Sequence, residues 1–149
     1  MTTAANHIPA GFHAVTPYLH VNGAQRLLDF AVAAFGAEVT VVSKSPDGKI
    51  MHAAARIGDS MIELADANDK WPAMPCGIHV YVPDTHATWQ KALLAGATSL
   101  YEPADMFYGE RSGGVRDPLG NNWYIATHME NVAPEELVRR QQAMSAQQQ

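Results

Sequence analysis

Side chains able to ligate, titrate or stack recur at every second position in several short runs of this sequence. Tyr18 and His20 form one such pair, and His79 and Tyr81 another; His52 lies four residues before Arg56, Glu63 two after Met61, and Asn122 and Tyr124 precede His128. Residues two apart in an extended chain share a face, so each run would deliver its polar groups to one side of a sheet. Three kinds of chemistry fit such a face, and the residue types leave all three open. His20, Glu63 and His79 offer the imidazole and carboxylate donors that a divalent zinc, nickel, manganese or iron ion takes. Without a metal, Glu63 or a histidine such as His79 can act as a general base, with Arg56 or a tyrosine steadying an enolate or oxyanion. Without any reaction, Tyr18, Tyr81 and Tyr124 supply stacking area and phenolic handles, and His20, His52, Arg56 and Asn122 supply hydrogen bonds, for an aromatic or oxygen-rich ligand. Glu63 and His79 are the catalytic candidates.

A second place with chemistry is the run FYGERSGG from Phe107 to Gly114, read as a loop. Its paired glycines permit movement, so Tyr108 and Arg111 are placed to fold over a bound anion or ring. Other residues read as structural. His7, His13 and His86 have no partner pattern, Asp117 anchors a turn in DPLG, and Trp123 has core-facing parity. Trp71 and Trp89 give no functional signal, and Cys76 has no cationic sequence neighbour to activate it. Glu63 also has a structural alternative, an ion pair with Arg56.

The elements that must position these groups come twice. Val15 to Val21 alternates as a half-buried strand; Asn22, with Gln25 after it, predicts a capped helix whose Leu27, Phe30, Ala31, Ala34 and Phe35 recur at helical spacing until Gly36. Strands are predicted at 38–43, 49–57 and 60–65. The second half repeats the order: a strand at 77–82, a helix capped by Asp84 and ended by Gly96, and strands near 98–101, 114–116 and 122–128. Gly36-Ala37 recurs as Gly96-Ala97 at an offset of 60, and Arg56–Leu64 aligns with Asp117–Ile125 at an offset of 61. Two βαβββ units therefore make an α+β fold. Unit one spans about 14–66, a polar linker 66–76, unit two about 77–128 and a C-terminal helix about 134–145. All lie in a single domain over 14–140, preceded by an N-terminal arm, 1–13.

Composition narrows the partners. The 149 residues carry 15 acidic and 10 basic side chains, a net charge of -5, and 47% are apolar. That balance suits a globular domain and argues against a nucleic-acid partner, which asks for a basic face. One cysteine excludes an intrachain disulfide and a multi-cysteine metal cluster. Neither a membrane-spanning run nor an apolar signal core is evident, so a cytoplasmic location and no membrane partner are expected.

The runs TPYL at 16–19, FGAE at 35–38, KIMHAAARIGDS at 49–60, FYGERSGGVRDPLGNNWYIATH at 107–128 and PEEL at 134–137 carry a resemblance. With them the chain resembles the vicinal oxygen chelate superfamily, and within it the PhnB-like, glyoxalase/bleomycin-resistance-like group. The resemblance implies eight strands forming an incomplete barrel around a concave cavity, helices outside, a small-molecule ligand and a homodimer. It also implies one divalent metal acting as a Lewis acid, with ligand positions at Thr16, Glu63, Gly77 and Tyr124. Only Glu63 is a competent ligand there. The expectation is a small-molecule-binding protein with the usual metal positions largely lost and no cofactor. The alternatives are a glyoxalase-type lyase or isomerase holding one divalent metal at a shifted His20, Glu63 and His79 site, and a metal-free general-base enzyme.

Overall fold

The computed structural model describes residues 3–148, so the first two residues of the N-terminal arm lie outside it. Unit one contains β1 (Tyr18–Val21), α1 (Ala24–Phe35), β2 (Glu38–Lys44), β3 (Ile50–Ile57) and β4 (Ser60–Asp66). Unit two contains β5 (Gly77–Tyr81), α2 (Thr85–Leu94), β6 (Thr98–Asp105), β7 (Glu110–Arg116) and β8 (Asn122–His128), followed by α3 (Pro134–Gln147). Each unit folds into one four-stranded sheet, in the orders β1-β4-β3-β2 and β5-β8-β7-β6. The first and last strands of each unit pair in parallel, with Tyr18 beside Glu63 and His79 beside Tyr124; the other pairs are antiparallel. The eight strands are thus two open sheets in an α+β arrangement.

What joins the units is helix packing and one indole. α1 buries Ala24, Leu27, Leu28, Phe30, Ala31 and Ala34 and ends at Gly36, whose left-handed φ of 66° closes the last turn. Trp123 of β8 is fully buried and packs against Phe30 and Phe35 of α1, with ring centroids 6.2 and 4.7 Å away. Its indole N–H donates to Asp117 Oδ2 at 2.8 Å. Asp117 also accepts from the backbone N–H groups of Leu119 and Asn121 and from the Asn121 amide. This buried carboxylate ties the β7–β8 turn to the core, leaving none of its capacity for chemistry.

Several local features differ from the sequence expectation. Asn22 is exposed and does not cap α1. Gly23 occupies the cap at φ 121°, and Asp66 from the end of β4 accepts from the N–H groups of Gly23, Ala24 and Ile50. The run 107–114 is not an open loop: β7 begins at Glu110, and only a tight turn from Met106 to Gly109 precedes it. Gly113 and Gly114 sit inside the strand because neighbours press on them. A Cβ on Gly113 would come within 3.0 Å of Trp89 and Pro103, and one on Gly114 within 2.3 Å of the Tyr101 ring. The repeat offset is 61 between β4 and β8 but 60 between β3 and β7, where Ala54 and Gly114 face Glu63 and Tyr124. The extra residue lies in the turn, Gly58-Asp59 in unit one against Pro118-Leu119-Gly120 in unit two.

Candidate functional site

In unit one the parallel register sets Tyr18 beside Glu63, and the face they share also carries His20, His52 and Arg56. The Tyr18 hydroxyl lies 3.2 Å from His52 Nδ1. Burial, and then the Glu63 charge, push the Tyr18 phenol above its ordinary range, so it holds its proton at neutral pH. The other ring nitrogen of His52, Nε2, lies 3.6 Å from Glu63 Oε1. That separation is an electrostatic contact, longer than a hydrogen bond. Glu63 keeps 28% of its side chain exposed and so remains reachable.

Beside this row stands an aromatic wall. His20 stacks on Trp71 with centroids 5.8 Å apart and planes 17° from parallel, and the Tyr18 ring lies 4.9 Å from His20. Trp71 is presented by a turn built on Asn68, whose side-chain oxygen accepts from the N–H groups of Lys70 and Trp71. Tyr18, His20, Trp71, Lys49, Met51 and Ser45 border an open hollow of about 500 Å³.

Unit two arranges the same residue types differently. His79 and Tyr81 lie on one face of β5, their rings 4.6 Å apart. Tyr81 donates to Glu110 Oε1 at 2.6 Å, and His79 Nε2 lies 3.4 Å from Glu110 Oε2. The hydrogen bond to Glu110, then burial and the Glu110 charge, raise the Tyr81 phenol. Tyr108, in the turn before β7, is raised by burial first and then by Glu110. Asn122 and Tyr124 share this face; Asn122 accepts from Arg116 Nε at 3.0 Å and its amide lies 3.5 Å from the Tyr124 hydroxyl.

The sequence-derived set is only partly brought together. Tyr18, His20, His52 and Glu63 converge in unit one, and His79, Tyr81, Asn122 and Tyr124 share the face of unit two. Arg56 has the expected face but pairs with Glu38 of β2, not with Glu63. Arg111 lies on the opposite face of β7 from Glu110, beside Thr127, and is held by Asp105 at 2.7 Å. Strand alternation along β7 turns it away from the concave side. His20, Glu63 and His79 do not converge: among the described residues no three histidine, cysteine or acidic side chains are grouped to hold a metal. The positions the family uses fit one no better. Glu63 is their single carboxylate, Gly77 has no donor, and the Tyr124 ring fills the space beside it, 3.4 Å from where a Cβ would stand.

Two residues escaped the sequence reading. Trp71 lies in a polar linker with no periodicity to give it a face. Glu110 has period-two parity with Ser112 and Gly114, a signal available once β7 is extended by four residues.

Comparison with known proteins agrees with this architecture. The family model described as Glyoxalase/Bleomycin resistance protein/Dioxygenase superfamily matches residues 11–125, and the chain belongs to that family. An uncharacterised protein of Mycobacterium bovis is 36% identical over 148 residues, covering 90% of this chain and 93% of that one. An uncharacterised protein of Mycobacterium tuberculosis H37Rv is 36% identical over 160 residues, covering 98% and 88%. Among solved structures, TioX from Micromonospora sp. ML1 superposes with a TM-score of 0.65 at 20% identity, over 78% of this chain and 100% of that one. A PhnB protein from Bacillus cereus gives 0.59 at 16% identity, over 77% and 99%. At these identities the structures are similar in fold. No helix among the described residues is long and apolar enough to cross a membrane.

Proposed function

We propose that this protein binds a small aromatic or oxygen-rich molecule on the concave face of unit one and does so without a resident metal. The observation that carries the reading is the ring wall of Tyr18, His20 and Trp71 bordering the hollow. A planar ligand laid along that wall gains stacking contact, while the Tyr18 and Ser45 hydroxyls and the Lys49 ammonium bordering the same hollow meet its oxygens. The donor set argues for a metal-free site, since neither the family positions nor His20, Glu63 and His79 offer converging ligands. Homodimerisation fits the exposed apolar residues Val39, Val41 and Val42 of β2, which another copy would cover.

Trp71 supplies the test, because it is half exposed and lies outside the buried core. Titration with catechol should quench tryptophan emission saturably, and Trp71→Ala should remove that change without altering the melting temperature. Quenching that survives in Trp71→Ala, or no response to a panel of phenols and 2-oxo acids, overturns the assignment.

One observation favours a second reading, a metal-free general-base enzyme. Glu63 is accessible, His52 faces it, and Tyr18 is a protonated donor that could stabilise an oxyanion. Glu63→Gln separates the two: it should leave catechol affinity within about threefold if the site only binds, and abolish turnover if a reaction is found.

A further inference from the structure

Glu110 has surroundings that call for a partner the chain does not supply. Its side chain is 12% exposed, and its Oε2 is closed to solvent with no hydrogen-bond partner. Oε1 is taken by Tyr81. Among the described residues no lysine or arginine lies within ion-pair distance of it; His79 Nε2, at 3.4 Å, is its sole basic neighbour. A buried carboxylate oxygen left without a partner is costly. The backbone holds it there: Gly109, at φ 98°, fits so closely that a Cβ would stand 2.5 Å from the Glu130 carbonyl, and Met106 N–H donates to Glu110 O at 2.7 Å.

The carboxylate also decides what its neighbours show to solvent. Tyr81 spends its proton on Glu110, so its oxygen presents lone pairs outward. His79 turns its Nε2 edge to Glu110, so Nδ1 faces away. Both rings are well exposed, and their faces are electron-rich. The accessible surface therefore consists of the Tyr81 oxygen, the outer edge of the His79 ring and the two ring faces, with the Glu110 carboxylate behind them. An anion is repelled there, and a neutral ring leaves the charge uncompensated. A protonated amine would bond the exposed groups and set its positive charge against Glu110, while Oε2 itself stays shielded from solvent.

We propose that the His79–Tyr81–Glu110 face of unit two binds the protonated amino group of a small molecule, its N–H groups directed at His79 Nδ1 and the Tyr81 oxygen and its charge balanced by Glu110. The raised Tyr81 phenol agrees, since that group stays protonated and committed to Glu110. This site is separate from the ring wall of unit one and does not depend on it.

The test compares three probes of one shape, benzylamine, benzyl alcohol and benzoate, by NMR titration of the purified protein. Benzylamine should shift the His79 imidazole and Tyr81 ring signals and bind roughly tenfold tighter than either other probe. Glu110→Gln should erase that preference. Tyr81→Phe, at an exposed ring that leaves the fold intact, should weaken the amine severalfold and serves if Glu110→Gln misfolds. Trp71→Ala should leave amine binding unchanged. Equal binding of benzyl alcohol, no response to benzylamine at 10 mM (a concentration on the order of weak single-group affinities), a preference that survives in Glu110→Gln, or an amine affinity unchanged in Tyr81→Phe overturns the proposal.

Discussion

Units one and two share a chain trace and differ in where they place charge. At the matching junctions between the last strand and the first helix, unit one uses a carboxylate and unit two a hydroxyl. Asp66 accepts from the N–H groups of Ala24, Ile50 and Gly23, whereas Thr127 Oγ1 donates to Val82 O and meets Thr85 Oγ1 at 2.8 Å. On the concave faces the carboxylate also changes strand. Glu63 of β4 stays accessible behind His52, while Glu110 of β7 is enclosed by Tyr81 and His79. The aromatic pair swaps order too, Tyr18 then His20 on β1 against His79 then Tyr81 on β5, with each first member paired in register to Glu63 or Tyr124. A duplicated scaffold has kept its register and let the chemistry of the two faces diverge.

The largest effect should come from the element unit one lacks. Asp117→Ala strips the partner from four donors around Trp123, and we expect a loss of about 3–4 kcal/mol in urea unfolding. Asp59→Ala, in the shorter turn of unit one, should cost under about 0.5 kcal/mol because Asp59 is exposed and, among the described residues, its side chain bonds Ser60 alone. Similar losses at both sites would contradict this difference.

The junctions come next. Asp66→Ala should cost about 2 kcal/mol and Thr127→Val about 1 kcal/mol, since the charged acceptor serves three N–H groups. The Asp66 carboxyl is held below its usual range: burial opposes ionisation most strongly, but hydrogen bonds from Ala24, Ile50 and Gly23 together outweigh it. A depressed folded value means its stabilisation is present above about pH 3.9, the unfolded value, and is lost as pH falls through the folded one. The stability difference between wild type and Asp66→Asn should therefore shrink on acidification below about pH 4, while that for Thr127→Val stays level. A difference that grows on acidification reverses the sign and refutes the assignment.

A smaller contrast concerns β3 and β7. Ala54 and Gly114 are equivalent, but only Gly114 lies under a tyrosine ring, and the Tyr101 hydroxyl is held 2.8 Å from Ser112. Gly114→Ala should cost about 1–2 kcal/mol, and adding Tyr101→Ala should recover part of the penalty. Ala54→Gly should cost no more than about 1 kcal/mol. Additive losses at Gly114 and Tyr101 would show that the two do not share the space.

Much of this was legible because strand parity and turn residues act locally. Leu19, Leu64 and Ile125 alternate with Tyr18, Glu63 and Tyr124, so the concave face could be written down from period two. Gly36 stops α1 and Asp84 caps α2 through Ala87 N–H, as their residue types require. What escaped depends on contacts between distant segments. Asp66 caps α1 from more than forty residues away, a bond that no local window contains. Gly113 and Gly114 read as hinges, but their role is to admit Trp89, Pro103 and Tyr101 against a strand. That misreading ended β7 early and hid Glu110, the residue that makes unit two unlike unit one. Trp71 is placed by an Asn68 turn within an aperiodic linker, so only the folded chain reveals its stacking on His20.

The central claim is a metal-free ring wall in unit one. It is tested most directly by following the indole N–H signals of Trp71, Trp89 and Trp123 by NMR, in protein purified without a polyhistidine tag and treated with EDTA, as catechol is added. The Trp71 signal should move saturably, the buried Trp123 signal should stay fixed, and added zinc, nickel or manganese should not change the affinity. A Trp71 signal that stays still, or that moves only once a metal is restored, would contradict the account.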